Sequence, residues 1–297
     1  MTRSDLLVVW LLRAAWATLP LTAGGALSDA LASWSPPTRA VAATLLWSVW
    51  GAGVIALLAP HPVSLTFMRA SAPAALVVIV VAGRDAGGIA GITAIVFGAL
   101  ASVLALARPF AFAAVNGPAY GDEVRFPLRI PPALFLAPLP IAVGAVGGGV
   151  AAGPLLLGAG SWGWGLVATA LGVPAAALAA RSIHGLSRRW AVLVPAGLVL
   201  ADPAVLDDPV LFRTERISDL RALAAGARPR GSEVDLRLGA VRRGVELVLD
   251  SETDMLHVRR GRRRSELVLT RDLWFSVTRR EGFLERARAR RRRAIER

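Results

Sequence analysis

Residues 87–107 read GGIAGITAIVFGALASVLALA and contain no charged side chain. An α-helix needs roughly 20 apolar residues to cross the hydrocarbon core of a bilayer, and this stretch meets that length. Residues 39–60, RAVAATLLWSVWGAGVIALLAP, repeat the pattern with a single charge at Arg39. Soluble domains rarely carry apolar runs of this length, so the two stretches predict transmembrane helices.

Six segments in all are apolar over this length, and they predict a polytopic helical membrane domain over residues 1–180. The first is interrupted by Arg13 and Pro20, and the third by Arg69 and Pro73. Arg13 also disfavours a cleaved signal peptide, because its charge interrupts the apolar run early. The predicted spans are 6–27, 39–60, 63–83, 87–107, 132–157 and 161–180.

The remaining residues, 181–297, have the composition of a separate and strongly basic soluble domain. The chain has 34 basic residues, all arginine, and 26 of them lie from Arg181 onward, together with 16 of the 21 acidic residues. The chain lacks cysteine, which excludes disulfides, thiolate catalysis and Cys-ligated metals. Its three histidines lie far apart, so no metal, cofactor or catalytic residue is predicted.

The arginines of the short loops indicate the orientation of the spans. Cytoplasmic loops carry an excess of positive charge, and an internal N-terminus places most of the loop arginines inside. An even number of spans then returns the chain to the side on which it began. We therefore expect a plasma (inner) membrane protein with both termini in the cytoplasm. The inner set is Arg3, Arg69, Arg108, Arg125 and Arg129, and the outer set is Arg39 and Arg84.

Alternating apolar and polar residues after residue 188 predict about seven or eight short strands. A serine-capped helix or an irregular segment is expected over 218–225, and a longer helix over 281–295. This order predicts a small antiparallel β domain, a barrel or bent sheet, with a C-terminal helix. The predicted strands are 189–194, 198–200, 210–217, 233–238, 245–249, 255–258, 266–269 and 274–277.

Three stretches of this domain resemble the bacterial PH-like domains, small relatives of pleckstrin-homology modules found beside transmembrane helices. They are RWAVLVPAGLVLADP (189–203), VLFRTERISDL (210–220) and FSVTRREGFLERA (275–287). The likeness covers about residues 186–293, and the whole chain also resembles uncharacterised multi-pass membrane proteins of actinobacterial type. The resemblance implies a PH-like barrel but no activity. Phosphoinositide recognition is not implied, because the first hairpin, PAGL at 195–198, carries no charge.

Two arginine clusters of this domain are candidate contacts for anionic lipid headgroups or a protein partner. Guanidinium groups held near a membrane surface are attracted to its anionic lipids. Nucleic acid is a weaker alternative, because the tail lacks interleaved aromatic residues and a known binding motif. A solvated basic face is the plain structural alternative. The residues are Arg259, Arg260, Arg262, Arg263 and Arg264 around Gly261, and Arg288, Arg291 and Arg292 in the tail.

The connection over residues 108–131 is the longest before the soluble domain and holds a second candidate site. Turn-forming residues surround Tyr120, and two acidic residues precede two arginines. The connection is interpreted either as a solvated loop or as a surface that docks onto the C-terminal domain. The residues concerned are Asp122, Glu123, Arg125 and Arg129.

These features favour a non-enzymatic scaffold or accessory protein that presents a cytosolic PH-like module at the inner membrane surface. The sequence contains no P-loop, GxSxG, HExxH or dinucleotide glycine motif. One alternative is a transporter or channel-like subunit, which a polar cavity lined by Arg13, Arg69 or proline breaks would favour. The other is an integral membrane enzyme. The predicted partners are the lipid bilayer, anionic headgroups, and other membrane proteins or a second copy of the chain.

Overall fold

The computed structural model describes residues 2–224, 226–229, 231, 233–258 and 266–295, without the side chains of residues 292–295. The chain divides into two compact units. The helical unit comprises Met1–Gly117 and Pro138–His184, and the β unit comprises Pro118–Ala137 and Gly185–Arg297. The β unit is therefore discontinuous in sequence, because its first segment is inserted between two helices of the helical unit.

Within the described part of the chain, eight helices begin in the helical unit, and six helical segments are long and apolar enough to cross a membrane. These six segments correspond to the six predicted spans, and the first of them combines α1 and α2. The helices are α1 (Arg3–Ala17), α2 (Leu19–Ala30), α3 (Pro36–Leu58), α4 (Pro62–Ala86), α5 (Gly88–Leu106), α6 (Arg108–Asn116), α7 (Pro138–Gly158) and α8 (Trp162–Ser187).

The first span is broken between α1 and α2 because Pro20 has no backbone N–H to donate to the carbonyl of Trp16. The indole Nε1 of Trp50 in α3 donates to that carbonyl instead, at 3.0 Å. The indole Nε1 of Trp16 donates in return to the Trp50 carbonyl, at 2.9 Å. This reciprocal pair joins α1 to α3 at the break, and beyond it α2 packs mainly against α4 and α5.

The connection over 108–131 contains two elements that the sequence analysis does not predict. Its first part is the helix α6, which buries Phe110, Phe112 and Val115. This helix contacts α1, α4 and α5 and belongs to the helical unit. Its second part, Val124–Pro127, is the first strand of the β unit, β1.

In its described residues the β unit has two four-stranded sheets, with the orders β1-β2-β3-β4 and β5-β7-β8-β6. All pairs are antiparallel except β6 with β8, which is parallel. The prediction of a helix or an irregular segment over 218–225 is wrong for residues 218–222, because residues 217–222 form a strand that pairs with β7. The strands after β1 are β2 (Trp190–Val194), β3 (Gly197–Ala201), β4 (Val210–Arg213), β5 (Ile217–Ala222), β6 (Val234–Asp235), β7 (Gly244–His257) and β8 (Glu266–Ser276).

Four of the predicted short strands are merged in the structure into two long ones. Segments 245–249 and 255–258 are parts of β7, and segments 266–269 and 274–277 correspond to β8. The pairing of β7 with β8 is continuous apart from an irregularity between Val248 and Thr253. A helix, α9, follows over Arg280–Ile295, as predicted.

The core of the β unit lies between the sheets and α9. Phe126 of β1, Phe275 of β8 and Phe283 of α9 are all buried there. The ring of Phe283 stands edge-on to the rings of Phe126 and Phe275, at centroid distances of 5.2 and 5.8 Å. Single bridges, Leu128 with Val277 and Leu206 with His257, link the two sheets. Among the described residues the sheets do not join into a closed barrel, so the barrel stays a prediction.

Candidate functional site

A groove lined with arginines lies in the β unit, where α9 passes the β2–β3 hairpin and the start of β5. It encloses a cavity of about 140 Å³. Its apolar lining comes mainly from the three strands, and its charged lining comes from β5 and α9. We call this site the arginine groove. Its charged residues are Asp219, Arg221, Arg288, Arg290 and Arg291.

The packing of α9 places its arginines at the groove. Phe283 and Leu284 are buried in the core and fix the first turns of the helix. Residues three apart in a helix share a face, so Arg288 and Arg291 project to the same side. Nη1 of Arg291 donates to the carbonyl of Ser218 at 2.8 Å, which ties the helix to β5.

The groove carries an excess of positive charge. Arg221 is paired, with its Nε 2.6 Å from a carboxylate oxygen of Glu246 and a longer contact of 3.6 Å to Asp219. The hydrogen bond that Arg221 donates to the Glu246 carboxylate raises the pKa of Arg221. Arg288 is exposed and has no hydrogen bond or ion pair within the described part of the chain. Four arginines thus face one lining carboxylate, an arrangement that attracts a small anion such as a phosphate group.

Only part of the two predicted arginine clusters lies within the residues that the structure describes. Arg288 and Arg291 both line the groove. The side chain of Arg292 lies outside the described residues. So does the whole of the other cluster, which consists of Arg259, Arg260, Arg262, Arg263 and Arg264. Arg221 is not marked by any local sequence pattern, because its position in the groove depends on the pairing of β5 with β7.

The four predicted loop residues lie in and around β1, within the β unit. Arg125 forms an ion pair with Glu123 at 2.5 Å and lies over the Trp190 ring, 5.3 Å from its centroid. The carbonyl of Asp122 accepts a hydrogen bond from Nη2 of Arg290, a groove residue. The backbone N–H of Arg129 donates to Ser276 at 2.8 Å. These contacts connect the inserted segment with β2, β8 and α9.

Two further arginines that the sequence analysis did not single out are buried in ion pairs. Arg189 binds both carboxylate oxygens of Asp202, at 2.6 and 2.7 Å, and its Nη1 donates to the Arg129 carbonyl. Arg237 binds both oxygens of Asp235 and lies 4.8 Å from the Trp274 ring centroid. Both arginine side chains are buried and already paired with a carboxylate, so we assign the two ion pairs a structural role.

Of the ionisable residues in the predicted spans, Arg39 lines the large cavity of the helical unit, whereas Arg13 and Arg69 do not. Nε of Arg13 donates to the carbonyl of Leu57 at 3.1 Å, one of the last carbonyls of α3. Such carbonyls have no partner within their own helix, so Arg13 caps α3. No cluster of three or more His, Asp or Glu that could hold a metal occurs among the described residues.

The chain matches no known protein family, no curated protein and no solved structure. Its function is therefore inferred from its residues and their arrangement.

Proposed function

We propose that this protein is a non-enzymatic, membrane-anchored scaffold or accessory protein whose β unit binds anionic lipid headgroups at the inner membrane surface. The observation that carries the proposal is the arginine groove, in which exposed Arg288 has no partner among the described residues and lies one helical turn from Arg291. A lipid phosphate supplies the oxygen acceptors that these guanidinium groups need.

The covalent link between the last apolar helix and the β unit would keep lipid headgroups at a high local concentration around the arginine groove. The last apolar span, Trp162–Ser187, leads within two residues to β2, so the β unit is tethered to the bilayer. Near an anionic surface each arginine gains on the order of 1 kcal/mol. The proposed orientation, with both termini in the cytoplasm, rests on the distribution of the loop arginines.

A PH-like character of the β unit supports the same proposal. Sheets followed by a C-terminal helix agree in order with the resemblance, which remains part of the proposal. In this chain the charges near the first hairpin come from α9 rather than from the hairpin itself. The transporter and membrane-enzyme alternatives remain predictions.

The test uses the intact protein in lipid nanodiscs. The chain has no cysteine, so Glu285→Cys, an exposed site on α9, takes a single fluorescent label. Quenching of this label by doxyl-labelled lipid reports how closely α9 approaches the bilayer. We expect stronger quenching with phosphatidylglycerol than with phosphatidylcholine alone. The difference should disappear as salt rises toward about 1 M, where the Debye length falls to about 3 Å.

The variant Arg288→Gln with Arg291→Gln removes the two groove charges and should weaken the phosphatidylglycerol-dependent state by roughly 30-fold, at about 1 kcal/mol per arginine. The matched control is Arg242→Gln with Arg271→Gln, two exposed arginines that do not line the groove. Equal losses in both double variants would show an effect of net charge alone and would contradict a groove. Displacement of α9 from the bilayer by added RNA would identify nucleic acid as the partner.

A further inference from the structure

An apolar cavity of about 590 Å³ opens in the helical unit between α2 and α3, with α4 along one side. Its volume lies within the range of small-molecule sites, about 300–1,000 Å³. Nearly all of its lining is apolar or aromatic. The polar side chains among its lining residues, apart from the tryptophans, are Ser28 and Arg39.

The cavity follows from the break in the first span. The reciprocal pair of Trp16 and Trp50 holds α1 against α3, and after Pro20 the chain continues toward α4 and α5. The space between α2 and α3 is left without a helix to fill it. Trp16, Trp47 and Trp50 close its deep end, and the ring of Trp47 stands edge-on to that of Trp50 at 5.3 Å.

The length of the cavity corresponds to one leaflet of a bilayer. Trp50 lies eleven positions after Arg39 in α3, which is roughly 16 Å of helix at a rise of 1.5 Å per residue. The hydrocarbon core of a bilayer is about 30 Å thick, so this distance covers about half of it. The deep end thus lies near the middle of the first span, and Arg39 lies near the loop that joins α2 to α3.

Arg39 gives the open end a positive charge. Its side chain is exposed, and within the described residues it has no hydrogen bond or ion pair. An arginine at the end of a membrane helix places its guanidinium at the headgroup level while its methylene groups stay among apolar neighbours. The cavity therefore combines an apolar slot of acyl-chain length with a cation at the depth of a lipid phosphate.

We propose that this cavity holds one acyl chain of an anionic phospholipid whose phosphate group pairs with Arg39. The lipid fills the space that the break at Pro20 leaves between α2 and α3. This site lies in the helical unit and does not depend on the arginine groove of the β unit.

Native mass spectrometry of the intact protein tests the proposal. Delipidated protein in detergent is incubated with an equimolar mixture of phosphatidylglycerol and phosphatidylcholine, and the lipid that remains bound is counted. We expect one retained phospholipid per chain, with phosphatidylglycerol in excess. Arg39→Gln should reduce the ratio of the two bound lipids to about one. Arg84→Gln, another exposed arginine without a described partner, should leave the ratio unchanged.

Two neighbouring glycines supply a matched pair of variants for the cavity itself. A Cβ atom built on Gly24 or on Gly25 would meet no neighbouring atom within 4 Å, but only Gly24 lines the cavity. Gly24→Leu should abolish retention of the lipid, and Gly25→Leu should preserve it. If Gly24→Leu does not fold, Ala40→Leu fills the same cavity from α3.

Equal lipid retention in Gly24→Leu and Gly25→Leu would overturn the proposal, and so would an absence of headgroup preference in the unmodified protein. The groove variant with Arg288→Gln and Arg291→Gln should retain the cavity lipid. The two proposals can therefore fail independently.

Discussion

Gly53 shows at the scale of one residue how the helical unit is fitted together. A Cβ atom built on Gly53 would lie 2.3 Å from Cε2 and Nε1 of Trp16, far inside van der Waals contact. Trp16 is itself fully buried and donates its indole N–H to α3. The absence of a side chain at Gly53 is therefore what allows the indole to reach the Trp50 carbonyl.

We expect Gly53→Ala to destabilise the protein, because the added methyl group displaces the Trp16 ring and breaks its hydrogen bond. The sign of the change in stability is informative, because Gly→Ala within a helix otherwise stabilises the protein by up to about 1 kcal/mol. The control is Gly51→Ala in the same helix, where the new methyl group would meet nothing within 4 Å. Thermal unfolding in detergent should give a lower midpoint for the first variant and an equal or higher one for the second. A midpoint for Gly53→Ala as high as that of the control would contradict this packing.

At the scale of elements, small residues bring the last two spans together. The backbones of Gly149 in α7 and Gly172 in α8 approach so closely that a Cβ on Gly149 would lie 2.3 Å from the Gly172 carbonyl oxygen. Gly153 packs in the same way against Thr169. Close approach of this kind is how small residues promote helix association in membranes.

In the β unit, one ion pair closes the open end of the β2–β3 hairpin. Arg189 immediately precedes β2 and Asp202 immediately follows β3, so the two side chains meet across the ends of paired strands. Both are buried, and Asp202 also accepts the N–H of Ala204 at 3.1 Å. The pair determines where the hairpin ends.

Asp202→Ala should cost about 3–5 kcal/mol, because it leaves the Arg189 guanidinium buried without its counter-charge. Replacing Arg189 by Met in the same chain should recover much of that loss, since no unpaired charge then remains. Hydrogen exchange of the β2 and β3 amides in the full-length protein measures the effect on the hairpin. Unchanged exchange in the single variant would show that the pair does not stabilise it.

At the scale of the whole molecule, the β unit depends on a segment inserted between two helices of the helical unit. The strand β1 pairs with β2 over four residues and buries Phe126 against Phe283, whose ring also contacts Phe275. The backbone of Leu128 and Arg129 continues the contact to Arg189 and Ser276. Without this segment the edge of β2 is unpaired and the core is open on one side.

A fragment of residues 185–297 should therefore be less stable than the same fragment joined through a flexible linker to residues 118–137. The joined fragment is expected to unfold cooperatively with a β-rich circular dichroism spectrum. Phe126→Ala within it should cost about 3–5 kcal/mol, the usual loss for a buried phenylalanine. Urea denaturation of the three fragments measures the differences. Equal stability with and without residues 118–137 would show that β1 is dispensable.

Of the candidate sites, the sequence indicated Arg288 and Arg291 through the charge of α9 alone. It could not indicate Arg221 or Ser218, whose places beside α9 arise from strand pairing. Asp122 was predicted as a docking residue of the loop, but its contact with Arg290 of α9 could not be predicted, because it depends on the inserted segment. The apolar cavity could not be predicted from the sequence either. The Pro20 break can be read from the sequence, but the direction that α2 takes after it depends on packing against α4 and α5.

The six helices that are long and apolar enough to cross a membrane could be predicted from the sequence itself, because the free energy of placing a helix in hydrocarbon is summed residue by residue along one segment. A strand cannot be predicted in this way from its own segment alone. Val124–Pro127 is too short to show an alternating pattern, and it is a strand because β2, more than 60 residues later, supplies its hydrogen-bond partners. Residues 217–222 start with a helix-like signal at Ser218 but pair with β7. Tertiary structure decided these elements, because a strand is stabilised by partners that lie elsewhere in the chain.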